Sequence, residues 1–287
     1  MYIIQSKLNP EDKFQIHFEV EQLMDTENKP VTMTFVENKI NDIDFNNWLD
    51  QYITNKIING ELEINSLFYI FKERHKNLII KIIFGKYFNQ SLGTYLNELT
   101  NLKQLTFGFS FNEPLGESLN KLTSLEQLTF GENFNKSLGT SLNGLIRLKQ
   151  LTFGENFNEP IVNSLNHLTS LEQLTFGDYF KQPIENSLNS LINLQQLTFG
   201  KYFNQYLGNS LNSLTNLQQL TFGYDFNQPI ENSLNSLTNL QQLTFGFSFN
   251  KSFENWLDKL TSLEQLTVNK FFNQPLPNKE KLIILKK

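Results

Sequence analysis

The sequence predicts an α/β solenoid of nine 23-residue coils with parallel strands along one face, preceded by a small α+β region at residues 1–78. Three observations predict it. Glycines stand at 85, 108, 131, 154, 177, 200, 223 and 246, one every 23 residues. Units counted from six residues before each glycine begin at 79, 102, 125, 148, 171, 194, 217, 240 and 263 and share the pattern L-x-x-L-x-F-G-x-x-F-N-x-x-[LI]-x-x-S-L-x-x-L-x-x. A unit this short cannot bury its own apolar face, so neighbouring units must stack into one continuous core.

Ahead of the repeat, "FQIHFEVEQLM" alternates Phe14, Ile16, Phe18 and Val20, and "VTMTF" alternates Val31, Met33 and Phe35. The period of two predicts strands, joined in a hairpin around Asn28-Lys29-Pro30. Phe45, Trp48, Leu49, Tyr52, Ile53 and Ile57 follow helical spacing up to Gly60, and Leu67, Phe68 and Phe71 predict a second helix. Together these read as an α+β cap over the first coil, whose apolar end would otherwise face water.

Within each unit, positions 3 to 6 alternate polar and apolar, as in Gln219, Leu220, Thr221 and Phe222, which predicts a short strand with one buried face. The glycine at position 7 predicts a turn at positive φ, a reading supported by Asn269 standing in its place in the last unit. Phe at positions 6 and 10, such as Phe107 and Phe111, predicts two stacked aromatic columns. Asn occupies position 11 at 89, 112, 135, 158, 204, 227, 250 and 273 and predicts a hydrogen-bonded ladder from coil to coil, interrupted at Lys181. Positions 14, 18 and 21, as in Ile230, Leu234 and Leu237, predict a short helix, with Pro tolerated just before it in five units. In the ninth unit Val268, Asn269 and Glu280 break the pattern, and "KLIILKK" reads as a last strand or a cover for the open end.

Charge and composition narrow the function. Residues 1–78 carry thirteen acids against eight Lys and Arg, while residues 79–287 carry sixteen of each, so the repeat is neutral and has no basic patch. That argues against nucleic acid and anionic membranes as partners. The absence of cysteine excludes disulfides, thiolate metal sites and thiol nucleophiles. With no basic and apolar leader after Met1-Tyr2-Ile3-Ile4-Gln5 and no long apolar span, a cytoplasmic protein is expected. His17, His75 and His167 stand apart from one another, and no phosphate loop, nucleophile elbow or metal-ligand cluster is present, so neither an enzyme nor a cofactor is expected.

The head of each unit, L-x-x-L-x-F, resembles the strand segment of leucine-rich repeats, over residues 79 to about 276. Phe226-Asn227-Gln228-Pro229-Ile230 and Phe157-Asn158-Glu159-Pro160-Ile161 resemble, more narrowly, the signature of FNIP repeats, a variant found in amoebae and in giant viruses that infect them. The resemblance implies a leucine-rich-repeat horseshoe with its strands on the concave face. It also implies an alternative function, since members of that class often carry a helical F-box that recruits a ubiquitin ligase scaffold; the strand pattern of residues 1–78 speaks against one.

What remains is a nonenzymatic protein-interaction scaffold, with a carbohydrate-binding module as a further alternative. Gln at position 3 and Thr at position 5 recur in eight units each and discriminate little, so specificity should sit at the variable positions 8 and 9. There Tyr179, Tyr202, Tyr224, Phe247 and Phe271 supply one aromatic per unit from the fifth unit onward, where the third and fourth units have Glu132, Asn133, Glu155 and Asn156. These five aromatics are the candidate partner-binding residues, with packing over the phenylalanine columns as their other possible use.

Overall fold

The computed structural model describes residues 2–5, 13–17, 22–24, 30–31, 51, 53–64, 73–230, 232–253, 256–277 and 282–286. At the amino-terminal side β1 (Tyr2–Gln5), β2 (Lys13–His17), β3 (Gln22–Met24) and β4 (Pro30–Val31) form an antiparallel sheet in chain order. The stretch "FQIHFEVEQLM", expected as one strand, is two antiparallel strands, β2 and β3, with Ile16 facing Leu23, and β3 in turn pairs with β4, Leu23 with Val31 and Met24 with Pro30, as the expected hairpin requires. Residues 53–56 are helical, as the spacing predicts. The helix expected over Leu67, Phe68 and Phe71 lies outside the described residues, and a six-residue helix, α1 (Glu73–Leu78), follows.

The main body is one parallel sheet of eleven strands in chain order: β5 (Glu61–Ile64), β6 (Lys81–Phe84), β7 (Gln104–Thr106), β8 (Gln127–Thr129), β9 (Gln150–Thr152), β10 (Gln173–Thr175), β11 (Gln196–Thr198), β12 (Gln219–Thr221), β13 (Gln242–Thr244), β14 (Gln265–Val268) and β15 (Ile283–Lys286). Register is set by the repeat. Gln173, Leu174 and Thr175 face their equivalents Gln150, Leu151 and Thr152 on one side and Gln196, Leu197 and Thr198 on the other. The predicted strands are therefore present, position 4 pointing into the core, where Leu151 and Leu174 are buried. The sheet also holds two strands more than the nine units supply from their heads. β5 precedes residue 79, and β15 is the last strand that "KLIILKK" foreshadows.

Both aromatic columns are present. The position-6 rings stack from Phe84 to Phe245 with centroids 5.2 Å apart at Phe84–Phe107 and 5.6 Å at Phe153–Phe176. The position-10 rings stack from Phe88 to Phe272, at 6.1 Å for Phe157–Phe180. Within a coil the two rings meet, as at Phe153–Phe157 with 4.1 Å between centroids. Phe–Phe contacts thus run both along and across the solenoid, and a phenylalanine such as Phe153 cannot move without its three ring neighbours, Phe130, Phe157 and Phe176.

Two expectations need correction. The stretch expected to be helical is a train of turns. In the seventh unit Ser233 N–H donates to Ile230 O at 2.8 Å, Asn235 to Asn232 at 3.1 Å and Leu237 to Leu234 at 3.0 Å, all i→i+3 bonds. Ile230, Leu234 and Leu237 are buried as predicted, because the 4 and 3 spacing suits such turns as well as a helix. Eight residues are too few to repay helix nucleation. Asn and Ser side chains compete further, Asn235 Nδ2 donating to Asn232 Oδ1 at 2.9 Å.

The glycine column, expected at positive φ, does not sit there. A Cβ built on Gly154 would stand 1.9 Å from the carbonyl oxygen of Gly131 in the preceding coil. Glycine is required there because successive backbones nearly touch, not because of the local dihedral. The left-handed residue lies at the opposite corner, in the "LG" of positions 14 and 15: Gly93, Gly116, Gly139 and Gly208 have φ between 48° and 54°, and Glu185 takes the same place at 35°. Asn269 accordingly owes its position to hydrogen bonding. Its Nδ2 donates to Phe249 O at 3.0 Å and its Oδ1 accepts Phe271 N–H at 2.8 Å.

Candidate interaction surface

The loop that follows each strand is held at fixed pitch by one repeated main-chain bond, from the N–H at position 9 to the carbonyl at position 8 of the coil before. It joins Asn133 to Phe109 at 3.0 Å, and Asn156 to Glu132, Tyr179 to Glu155 and Tyr202 to Asp178 at 2.9 Å each. The last coil breaks the series, since Phe271 N–H turns to Asn269 Oδ1 instead. The side chains of positions 8 and 9 therefore project from a rigid edge at one step per coil, roughly 4.8 Å.

All five aromatics predicted from sequence lie on this edge. Tyr179, Tyr224, Phe247 and Phe271 are exposed, Phe271 by 63%, and Tyr202 is half-buried. They pack on one another: Tyr179 and Tyr202 at 4.9 Å between centroids, Tyr224 and Phe247 stacked at 4.8 Å, and Phe247 and Phe271 edge-to-face at 5.6 Å. Lysines accompany them, with Lys181 Nζ 5.0 Å and Lys201 Nζ 4.8 Å from the centroid of Tyr202, and Lys270 Nζ 5.1 Å from that of Phe271. The Lys201 ammonium is held above its ordinary value of 10.5, first by its hydrogen bond with Tyr202 and then by the charges of Tyr202, Asp178 and Asp225.

Two further aromatics belong to the edge and were missed. Tyr87, 80% exposed, and Phe109, 40% exposed, occupy the same loop in the first two units, with Lys86 Nζ 5.4 Å and 5.8 Å from their centroids. The signal was in the sequence, since Tyr87 is at position 9 and Phe109 at position 8. The edge is thus aromatic in the first two units and in the last five, with Glu132, Asn133, Glu155 and Asn156 between.

The asparagine ladder beside this edge is formed as predicted. Asn112, Asn135 and Asn158 N–H donate to the Oδ1 of Asn89, Asn112 and Asn135 at 2.8 to 2.9 Å, and Asn227, Asn250 and Asn273 continue it. Its asparagines are exposed or half-buried, and none is buried. The three histidines stand apart. His75 is buried against Thr54 Oγ1 at 3.2 Å, His167 is exposed and His17 lies in β2. Among the described residues no group of three or more His, Asp or Glu could hold a metal, and no helix is long and apolar enough to cross a membrane.

No family model and no curated protein matches the chain. Solved structures do. An internalin of Listeria monocytogenes (inlF) aligns with a TM-score of 0.62 at 17% identity, over 87% of this chain and 70% of that one. A chain of the Drosophila Toll–Spätzle complex aligns at 0.60 and 14%, over 79% and 33%. CroV588, a circular leucine-rich-repeat protein, aligns at 0.48 and 30%, over 77% and 42%. The fold is that of leucine-rich-repeat proteins.

Proposed function

We propose that this leucine-rich-repeat solenoid is a nonenzymatic scaffold that binds a protein partner along its loop edge, through Tyr179, Tyr202, Tyr224, Phe247 and Phe271 together with Tyr87 and Phe109. One observation carries the reading: the aromatics stack on each other at the surface and leave the two phenylalanine columns complete without them. Exposed aromatic rows are costly to keep in water and are the preferred anchors of protein interfaces. Extended solenoid faces present many such anchors at once. A cytoplasmic setting and membership of the FNIP-repeat class, argued from Phe-Asn-x-Pro-Ile, belong to the same reading. Residues 1–78 would then serve as the cap.

The ubiquitin-ligase alternative needs a helical recruiting module where β1 to β4 form a sheet, which weighs against it. The carbohydrate alternative would use the Gln and Thr ladders of the strand face beside the aromatics, and a shallow polar groove lies along Asn193, Asn216 and Asn239. Their Nδ2 groups already donate to Thr169, Ile192 and Thr215 carbonyls, a structural use that leaves the reading little support. The test is affinity capture from the native host with three chains: unaltered, Tyr179→Ser/Tyr224→Ser/Phe247→Ser, and a control carrying Ile146→Ser/Ile192→Ser on exposed residues of the opposite turns. A protein partner retained by the first and third and lost by the second is expected. Equal capture by all three, or recovery of ligase scaffold components dependent on residues 1–78, would overturn the proposal.

A further inference from the structure

Between the two aromatic stretches the loop edge turns acidic. Position 8 runs Phe109, Glu132, Glu155, Asp178 over successive coils, and Glu132, Glu155 and Asp178 are all exposed. The three are not equivalent. Asp178 Oδ1 accepts the backbone N–H of Lys201 at 3.1 Å, and its charge helps hold the Lys201 ammonium protonated. Among the described residues, Glu132 and Glu155 have no ion pair; the pairs there join Lys76 with Glu98, Lys81 with Glu61 and Lys103 with Glu126. The asparagines beside them do not help, since Asn156 Nδ2 donates to Asn133 Oδ1 at 3.1 Å.

Nor can the two carboxylates separate by moving the backbone. Glu132 O accepts Asn156 N–H and Glu155 O accepts Tyr179 N–H, each at 2.9 Å, so their Cα atoms are pinned one coil apart. Like charges opposed in adjacent strands destabilise a sheet, and the same holds for this ladder. Among the described residues no ion pair offsets that repulsion; a cation from outside would. Apolar anchors flank it on both sides, Phe109 one coil before Glu132 and the Tyr179–Tyr202 pair beginning one coil after Glu155.

We propose that this part of the edge takes an extended protein segment with one or two Lys or Arg side chains set between apolar ones, the basic groups over Glu132 and Glu155 and the apolar groups against Phe109 and Tyr179–Tyr202. The length follows from the coil pitch. Phe109 to Tyr179 spans three coils, about 14 Å, which an extended chain covers in about four to five residues. The inference rests on the reading of the loop edge as the binding surface and adds the chemistry of what binds there.

A displayed library of random nine-residue peptides, selected on the intact chain and in parallel on two variants, tests it. The variants are Glu132→Lys/Glu155→Lys and Phe109→Ser/Tyr179→Ser; all four residues are exposed, and melting curves confirm folding. Selection on the unaltered chain is expected to enrich Lys or Arg flanked by apolar residues. The charge-reversed chain should fail to enrich them, and a synthetic copy of an enriched peptide should bind Glu132→Gln/Glu155→Gln roughly five- to tenfold more weakly, two partly screened ion pairs being lost. Enriched peptides without basic residues, or basic peptides insensitive to charge reversal, would overturn the inference while leaving the edge as a binding surface if Phe109→Ser/Tyr179→Ser abolishes their binding. Enrichment unaffected by the aromatic variant would sink the edge itself. No enrichment on the unaltered chain would count against the proposed segment.

Discussion

Asn158 Oδ1 accepts the backbone N–H of Lys181 at 2.8 Å, but Lys181 has no side-chain oxygen with which to accept the N–H of Asn204 in the next coil. The ladder therefore loses one rung between the fifth and sixth units. The ammonium of Lys181 instead reaches the Tyr202 ring, at 5.0 Å from its centroid.

Restoring the rung should stabilise the protein. Lys181→Asn is expected to raise the denaturation midpoint by the equivalent of roughly 0.5 to 1 kcal/mol, the net worth of one hydrogen bond, reduced by exposure. Asn135→Ala should cost a similar amount by leaving Asn158 N–H without its acceptor. A Lys181→Asn chain no more stable than the original in urea titration would show that the ladder contributes nothing measurable.

The two kinds of glycine should respond differently to one added methyl group. Gly154→Ala places a Cβ against Gly131 O and forces adjacent coils apart, an overpacking cost on the order of 1 to 3 kcal/mol or more. Gly116, at φ 54° with open space around it, should lose only about 1 to 2 kcal/mol on change to Ala, and less on change to Asn, which tolerates the left-handed region. Equal losses for Gly154→Ala and Gly116→Ala in thermal unfolding would contradict the close-approach account.

Removing one ring from the aromatic lattice should be among the most damaging single changes. Phe157 is fully buried, stacked on Phe153 at 4.1 Å and on Phe134 and Phe180 at 6.1 Å. Phe157→Ala should cost about 3 to 5 kcal/mol, read as an earlier unfolding transition by circular dichroism. An unchanged midpoint would mean that the neighbouring coils close over the gap.

Lys201 carries a pH prediction. Because its folded-state value is raised, any stabilisation from its contacts is complete below 10.5 and fades only as pH rises through the higher folded value, so neutral pH leaves it untouched. Tyr202→Phe removes the largest cause and should bring the Lys201 titration down toward the ordinary value in an NMR pH series. A titration that does not move would assign the shift to Asp178 and Asp225.

How far the sequence speaks for itself depends on what each residue is asked to do. The strands, the Phe columns and the Asn ladder were legible because each depends on a side chain whose period appears directly in the sequence, as in Leu151, Phe153 and Asn158. The glycine column was misread because a position that excludes Cβ looks the same whether the cause is a dihedral or a neighbouring backbone, and Asn269 favoured the wrong cause. The turns around Ile230, Leu234 and Leu237 were read as helix because i→i+3 bonding and a helix bury the same spacing. Tyr87 and Phe109 stand at the same variable positions, but Glu132, Asn133, Glu155 and Asn156 separate them from the continuous run that begins in the fifth unit, and an interrupted row shows no period of its own.

The carbonyl of Gly131 beneath Gly154 also acts as a ruler. With each backbone resting on the last and no side chain to adjust the gap, coil pitch is not a quantity that substitutions can tune gradually. An insertion of a few residues inside a coil must loop out from a turn if the next glycine is to keep its seat, whereas an inserted block of 23 leaves all seats occupied. The stack itself can therefore lengthen only in whole steps of one coil, by duplication or deletion of a complete unit, and each such step moves the anchors on either side of it apart or together by one rung. A lineage of such proteins would explore partners by spacing first and by side-chain identity second.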